Sequence, residues 1–122
     1  MISFLRKFLP NQDLKVAFKN VMEIRMGAPF NGADLELTGS WIPDLPQGGW
    51  QDLTACSSDK RYVGLVRWEH LEGSPNFVVY TIDTKRKDFT KADRVAGCCK
   101  KIWWDENSQK FEFDRFLYVK TK

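Results

Sequence analysis

Hydrophobic and polar side chains alternate along most of this chain. From residue 14 to residue 26, Leu14, Val16, Phe18, Met22, Ile24 and Met26 hold even positions, with Lys15, Lys19, Glu23 and Arg25 opposite them. Period two over that length predicts a long, half-buried strand, because successive side chains of an extended backbone point to opposite faces. Asn20 breaks the even set, so a bulge or a hairpin turn is expected near Lys19 and Asn20. Gly27 to Gly32 (GAPFNG) reads as a turn region. Leu35 and Leu37 then alternate with Asp34, Glu36 and Thr38 and predict a second strand. Trp41 to Gly49 (WIPDLPQGG) holds two prolines and two glycines, so it cannot be a central strand. A surface loop pinned by Trp41, Ile42 and Leu45 is expected there. Trp50 to Cys56 should return as a strand, with a turn at Ser57 to Lys60.

The second half has a sharper pattern. Arg61 to His70 (RYVGLVRWEH) predicts a strand with Val63 and Leu65 on one face and Tyr62, Val66 and Trp68 on the other. A turn over residues 72–76 leads to Phe77–Ile82 (FVVYTI), which is apolar on both faces, the mark of a central strand. Asp83 to Asp88 reads as a hairpin connection, Phe89 to Val95 as a weak strand, and Cys98 to Trp104 as another. After a turn at Asp105 to Ser108, Phe111, Phe113, Leu117 and Val119 line the last strand. Ahead of all this, Ile2, Leu5, Phe8 and Leu9 share one face of a short helix that Pro10 would end. About seven or eight short strands at regular spacing predict a mainly β chain: an antiparallel β-sandwich or partly open barrel with a short N-terminal helix. At 122 residues the natural reading is a single β-rich domain over 1–122, and 43% apolar with 14% aromatic residues can fill its core without a metal or disulfide staple.

Charge is spread unevenly. Residues 1–33 carry five bases against two acids, net +3; residues 34–72 carry three against seven, net −4; residues 73–122 carry eleven against seven, net +4. An acidic middle between basic flanks argues against a uniformly cationic nucleic-acid binder. The opening MISFLRKFLP lacks the order of a secretory leader, since Arg6 and Lys7 interrupt its apolar run and no small-residue cleavage site follows. No stretch is long enough to span a bilayer, so a cytoplasmic protein is expected.

Catalytic chemistry is hard to place. The single histidine, His70, has no Ser or Cys and carboxylate arranged around it in the sequence, and no His/Cys spacing suits a metal. The glycines fit no phosphate-binding spacing. Asp34 and Glu36 would project from one strand face, a pairing that can serve glycoside chemistry and more often marks a solvated face. Cys56, Cys98 and Cys99 are odd in number and contain no CxxC; reduced thiols are expected, with Cys98 and Cys99 facing opposite ways, and a Cys56–Cys98 or Cys56–Cys99 bridge if the chain is secreted. Lys100 and Lys101 lie close enough in sequence to activate an outward thiol. Neither a catalytic residue, a metal site nor a cofactor is assigned.

Binding chemistry is better represented. Trp41 and Trp50 bracket Pro43, Asp44, Leu45 and Pro46, with Asp52 just beyond. A proline-stiffened loop loses little entropy on binding, and Trp is favoured at interface hot spots. Asp34, Glu36, Trp41, Asp44, Trp50 and Asp52 are therefore the candidate partner contacts. Trp103 and Trp104 must face opposite ways on an extended strand, and an exposed one beside Lys85, Arg86, Lys87, Lys100 and Lys101 could stack a nucleic-acid base. A small-ligand barrel lined by phenylalanines is a third reading.

The segments MEIRMGAPFNGADLELTGSWIPDL and FVVYTIDT…DRVAGCCKKIWW cover about a third of the chain and resemble small bacterial proteins encoded beside polymorphic toxin genes. Size, β-rich make-up and aromatic content resemble the immunity proteins of contact-dependent growth inhibition systems. The resemblance implies a cytosolic antitoxin-type protein, and the want of convergent ionisable groups argues that it is not an enzyme. Such a protein binds and occludes a cognate toxin domain, and the acidic 34–72 segment would suit a basic nuclease. It carries no site residue over to this sequence.

Overall fold

A computed structural model describes residues 14–23, 31–71 and 74–116. Nine strands run through them: β1 Lys15–Glu23, β2 Asn31–Thr38, β3 Trp50–Cys56, β4 Tyr62–Leu71, β5 Ser74–Asp83, β6 Asp88–Lys91, β7 Val95–Ala96, β8 Cys98–Asp105 and β9 Lys110–Phe116. Every pairing is antiparallel. A seven-stranded sheet follows chain order from β1 to β6, with β7 beside β5, and β8 and β9 form a second sheet. The expected mainly β, sandwich-like architecture is present. The weak strand expected over Phe89–Val95 is two short strands, β6 and β7, parted at residues 92–94. The expected helix over 2–9 and the end of the last strand at Leu117 and Val119 lie outside the described residues.

The β4–β5 hairpin is the centre of the fold, and its ten-pair register explains the sequence pattern. Val63 and Leu65 stand with Val78, Tyr80 and Ile82 on one face; Val66 stands with Phe77 and Val79 on the other. Both faces are buried, which is why FVVYTI has no polar side. Burying one such side chain is worth about 1.5–3 kcal/mol, so the two faces together supply most of the drive to fold.

Each face has its own cover. β1 and β2 form a hairpin that joins β3 through one register pair, Ala33 with Trp50. Freed from further pairing, it brings Leu14, Val16, Phe18 and Leu35 onto the first face. The register of β1 shifts between Lys19 and Met22, and Asn20 adopts φ 54°. This is the bulge expected at the polar break, held by one of the few residues that tolerate the left-handed region.

The β8–β9 hairpin covers the second face. Phe111 and Cys99 enter the core, flanked by Ile102, Trp104 and Phe113. Trp104 stacks on Tyr62 at 5.1 Å and meets Phe111 edge-on at 5.0 Å, while Phe113 meets Phe77 edge-on at 5.2 Å. A polar hinge aligns the two sheets. Gln51, only 2% exposed, donates from Nε2 to the Cys99 carbonyl at 2.8 Å and accepts from the Cys99 amide at 3.1 Å. One side-chain amide thus completes what a neighbouring strand would supply. It also corrects an expectation: Cys98 and Cys99 do not face opposite ways into core and solvent, because both are buried. The two keep consecutive register with Phe116 and Arg115, and the shift comes only after Cys99, so neither side of the strand opens to solvent at this point.

The two tight hairpins share one turn chemistry. In the β5–β6 turn, Asp83 Oδ1 accepts from the amides of Lys85 and Arg86, and Lys87 at φ 60° closes the turn by donating to the Asp83 carbonyl at 2.8 Å. In the β8–β9 turn, Asp105 Oδ1 accepts from the Asn107 amide, and Gln109 at φ 57° donates to the Asp105 carbonyl at 2.8 Å. A leading aspartate satisfies the turn amides in each.

Asp83 has a further role. It is 8% exposed and takes a two-pronged contact from Arg61, Nε at 2.8 Å and Nη2 at 2.9 Å. The Arg61 guanidinium, helped by the turn amides, holds its carboxyl below the usual carboxylate range. A depressed folded pKa stabilises fully above the unfolded value of about 3.9 and is lost as pH falls through the folded value. Arg61 keeps some solvent, which limits the gain. Asp83→Asn is expected to cost about 2 kcal/mol at pH 7, and the gap to the native chain should close below about pH 4. Urea midpoints of both proteins across pH measure this.

Candidate functional site

Between β2 and β3 the chain leaves the sheet for residues 39–49 without becoming loose. The Leu35 amide donates to the Gln47 carbonyl at 2.7 Å and the Trp68 amide to the Gly49 carbonyl at 2.7 Å. Arg67 Nε donates to the Gly48 carbonyl at 2.9 Å, and Trp50 Nε1 donates to the Pro46 carbonyl at 2.8 Å. Four carbonyls at the end of the loop are therefore taken by donors from three strands. Gly49 needs its own lack of side chain: it sits at φ 86°, with the Arg67 guanidinium 3.5 Å from where a Cβ would stand.

The first half of the loop alternates. Trp41, Pro43 and Leu45 turn inward, Trp41 and Leu45 half-buried against the first core face and Pro43 buried. Ile42, Asp44 and Pro46 turn outward and are exposed. Ile42, expected to pin the loop, is 48% exposed and pins nothing; Pro43 takes that place. The signal was present, since W-I-P-D-L has period two, but the prolines direct attention to irregularity rather than to faces. Ile42 is thus the apolar centre that sequence reasoning overlooked.

The candidate contacts separate. Trp50 is completely buried, 5.0 Å from the Tyr80 ring with Arg67 over its face at 5.8 Å. As a partner contact it is corrected: it is the internal post to which the loop is tied. Trp41 offers only part of its ring. Asp34 and Glu36 share the outer side of β2, where Asn20 Nδ2 donates to Asp34 at 2.8 Å and Lys19 Nζ lies 3.1 Å from Glu36. Asp34 also reaches the loop, its Oδ1 within 3.2 Å of a Cβ built on Gly48. The hairpin therefore softens the charge of its own two acids. Asp44 and Asp52 are exposed, Asp44 on the loop and Asp52 just after it.

Elsewhere, Trp104 belongs to the core, and Trp103 is 39% exposed with Lys101 Nζ 5.4 Å above its ring. Lys85, Arg86 and Lys87 are exposed in the β5–β6 turn. Burial pushes the Cys98 thiol up and the Cys99 thiol up to about 12, so both stay protonated at neutral pH despite Lys100 and Lys101 nearby. Cys56 is exposed, and all three cysteines are free. His70 lies on β4, opposite Pro75. Among the described residues, no group of three potential metal ligands converges, and no helix is long and apolar enough to cross a membrane.

Comparison with known families, curated proteins and solved structures finds no match to this chain.

Proposed function

We propose that this chain is a protein-binding module of the immunity type, which occludes a basic surface on a cognate toxin domain in the cytoplasm. The observation that supports this best is the stiff 39–49 loop, which turns Ile42 and Asp44 outward while its backbone is fixed from three strands. A surface arranged before binding loses little conformational entropy on docking. Ile42 and the open part of Trp41 supply apolar contact; Asp44 and Asp52 supply charge that speeds encounter and selects a basic partner.

Charge reversal tests the proposal. Asp44→Lys with Asp52→Lys is expected to slow association with a partner captured by the native chain by about tenfold at low salt. The single variant Asp44→Lys should preserve the melting temperature, because its side chain is exposed on the loop. Unchanged association kinetics would remove the acidic loop from the interface.

Stacking of a single-stranded nucleic acid on Trp103 is the second reading, favoured by its exposure and by Lys101 beside it. It requires oligonucleotide affinity that falls steeply with salt.

A further inference from the structure

A second surface, away from the acidic loop, has different chemistry. β3 pairs with β4 at Trp50 and again over Thr54–Cys56, with a register shift between, but among the described residues its other side pairs with β2 only at Trp50. The Ser57 amide donates to the Tyr62 carbonyl, which fixes the alternation: Ala55 points its backbone groups at β4, and Thr54 and Cys56 point theirs away. Among the described residues a short sheet edge is therefore left unpaired at Thr54–Cys56.

That edge forms one wall of a cleft of about 370 Å³. Leu14, Val16 and Val63 give the cleft an apolar lining, and Lys15 and Lys60 stand at it with no acid among the described lining residues. Four other lysines lie beside carboxylates: Lys19 at Glu36, Lys91 at Glu69, Lys101 at Asp114 and Lys110 at Glu112. Lys15 and Lys60 have no ion pair among the described residues. Open backbone donors and acceptors, an apolar lining and two cations of one sign are the three requirements for adding an extended acidic segment to a sheet edge.

We propose that this cleft docks an extended peptide segment of a partner, pairing it with the backbone of Thr54 and Cys56. Apolar side chains of the segment would face Leu14, Val16 and Val63, and its acids would meet Lys15 and Lys60.

A blocked hexapeptide alternating valine with glutamate is the probe, titrated into the full chain labelled with ¹⁵N. The amide signals of residues 14–16, 54–56 and 60 should move together and saturate. Replacing glutamate by lysine in the peptide should weaken binding about tenfold, and Lys15→Glu with Lys60→Glu should invert that preference. N-methylation of alternate peptide amides should weaken binding about tenfold while leaving every protein side chain in place. Three results would overturn the proposal: shifts confined to other residues, an N-methylated peptide that binds as well as the parent, or decanoate saturating these amides where the peptide does not. The last would make the cleft a site for small amphipathic anions.

Discussion

Gly64→Val is expected to destabilise the chain by about 3 kcal/mol, a larger effect than any exposed substitution discussed above. Gly64 lies in β4 with its missing side chain aimed at the β8–β9 hairpin, and a Cβ built there would come to 3.0 Å from three ring carbons of Phe111. That ring sits in the core between Trp104 and the central strands, so it has little room to retreat. Gly64 needs no left-handed backbone, and the effect is steric overpacking rather than strain in the turn sense. Gly64→Ala should cost less, about 1 kcal/mol, because the better strand propensity of alanine offsets part of the clash. Phe111→Leu in the Gly64→Val background should recover stability while destabilising the native chain. A double-mutant cycle of urea midpoints reads that coupling, and additive effects would mean that the two sheets do not meet at this point.

Gln51→Leu should destabilise by a similar amount. Leucine fills about the same volume, yet it leaves the Cys99 amide and carbonyl buried without their partner. Two orphaned backbone groups at about 1–3 kcal/mol each put the loss near 3 kcal/mol. Gln51→Glu distinguishes lost hydrogen bonds from lost packing. Its carboxylate can accept from the Cys99 amide but opposes the carbonyl, so burial should raise its folded pKa above the unfolded value of about 4.3. A raised carboxyl pKa favours folding at low pH and loses that advantage as pH rises. The glutamate variant should therefore gain stability relative to native between pH 7 and pH 5, where Asp83 is still fully ionised. A flat difference across that range would show that the Gln51 hydrogen bonds do not hold the sheets together.

Most of the strand plan was legible because it is written in period two. Val63 and Leu65 against Tyr62 and Val66, the doubly apolar FVVYTI and the polar break at Asn20 all translate directly into the faces and the bulge observed. The hidden features depend on contacts distant in sequence. Nothing local says that Gln51, a polar residue at a strand start, is buried against Cys99 48 positions later. Without that contact, alternation places one of Cys98 and Cys99 outside. Trp50 follows Gly48 and Gly49 and looks like an exposed loop tryptophan; its burial follows from Arg67 and Tyr80, which β4 and β5 bring to it. In the candidate site the aspartates were legible as exposed charges, whereas the pairing of Glu36 with Lys19 required the β1–β2 register. Ile42 emerges only once Pro43 is seen to be the inward residue.

Stiffness of the 39–49 segment before any partner arrives is tested most directly by ¹⁵N relaxation of the free protein. The anchoring of Pro46, Gln47, Gly48 and Gly49 predicts order parameters near those of β4 and β5, about 0.85, for the amides of residues 41, 42, 44, 45 and 47–49. Values below about 0.6 there would contradict a surface arranged in advance for binding.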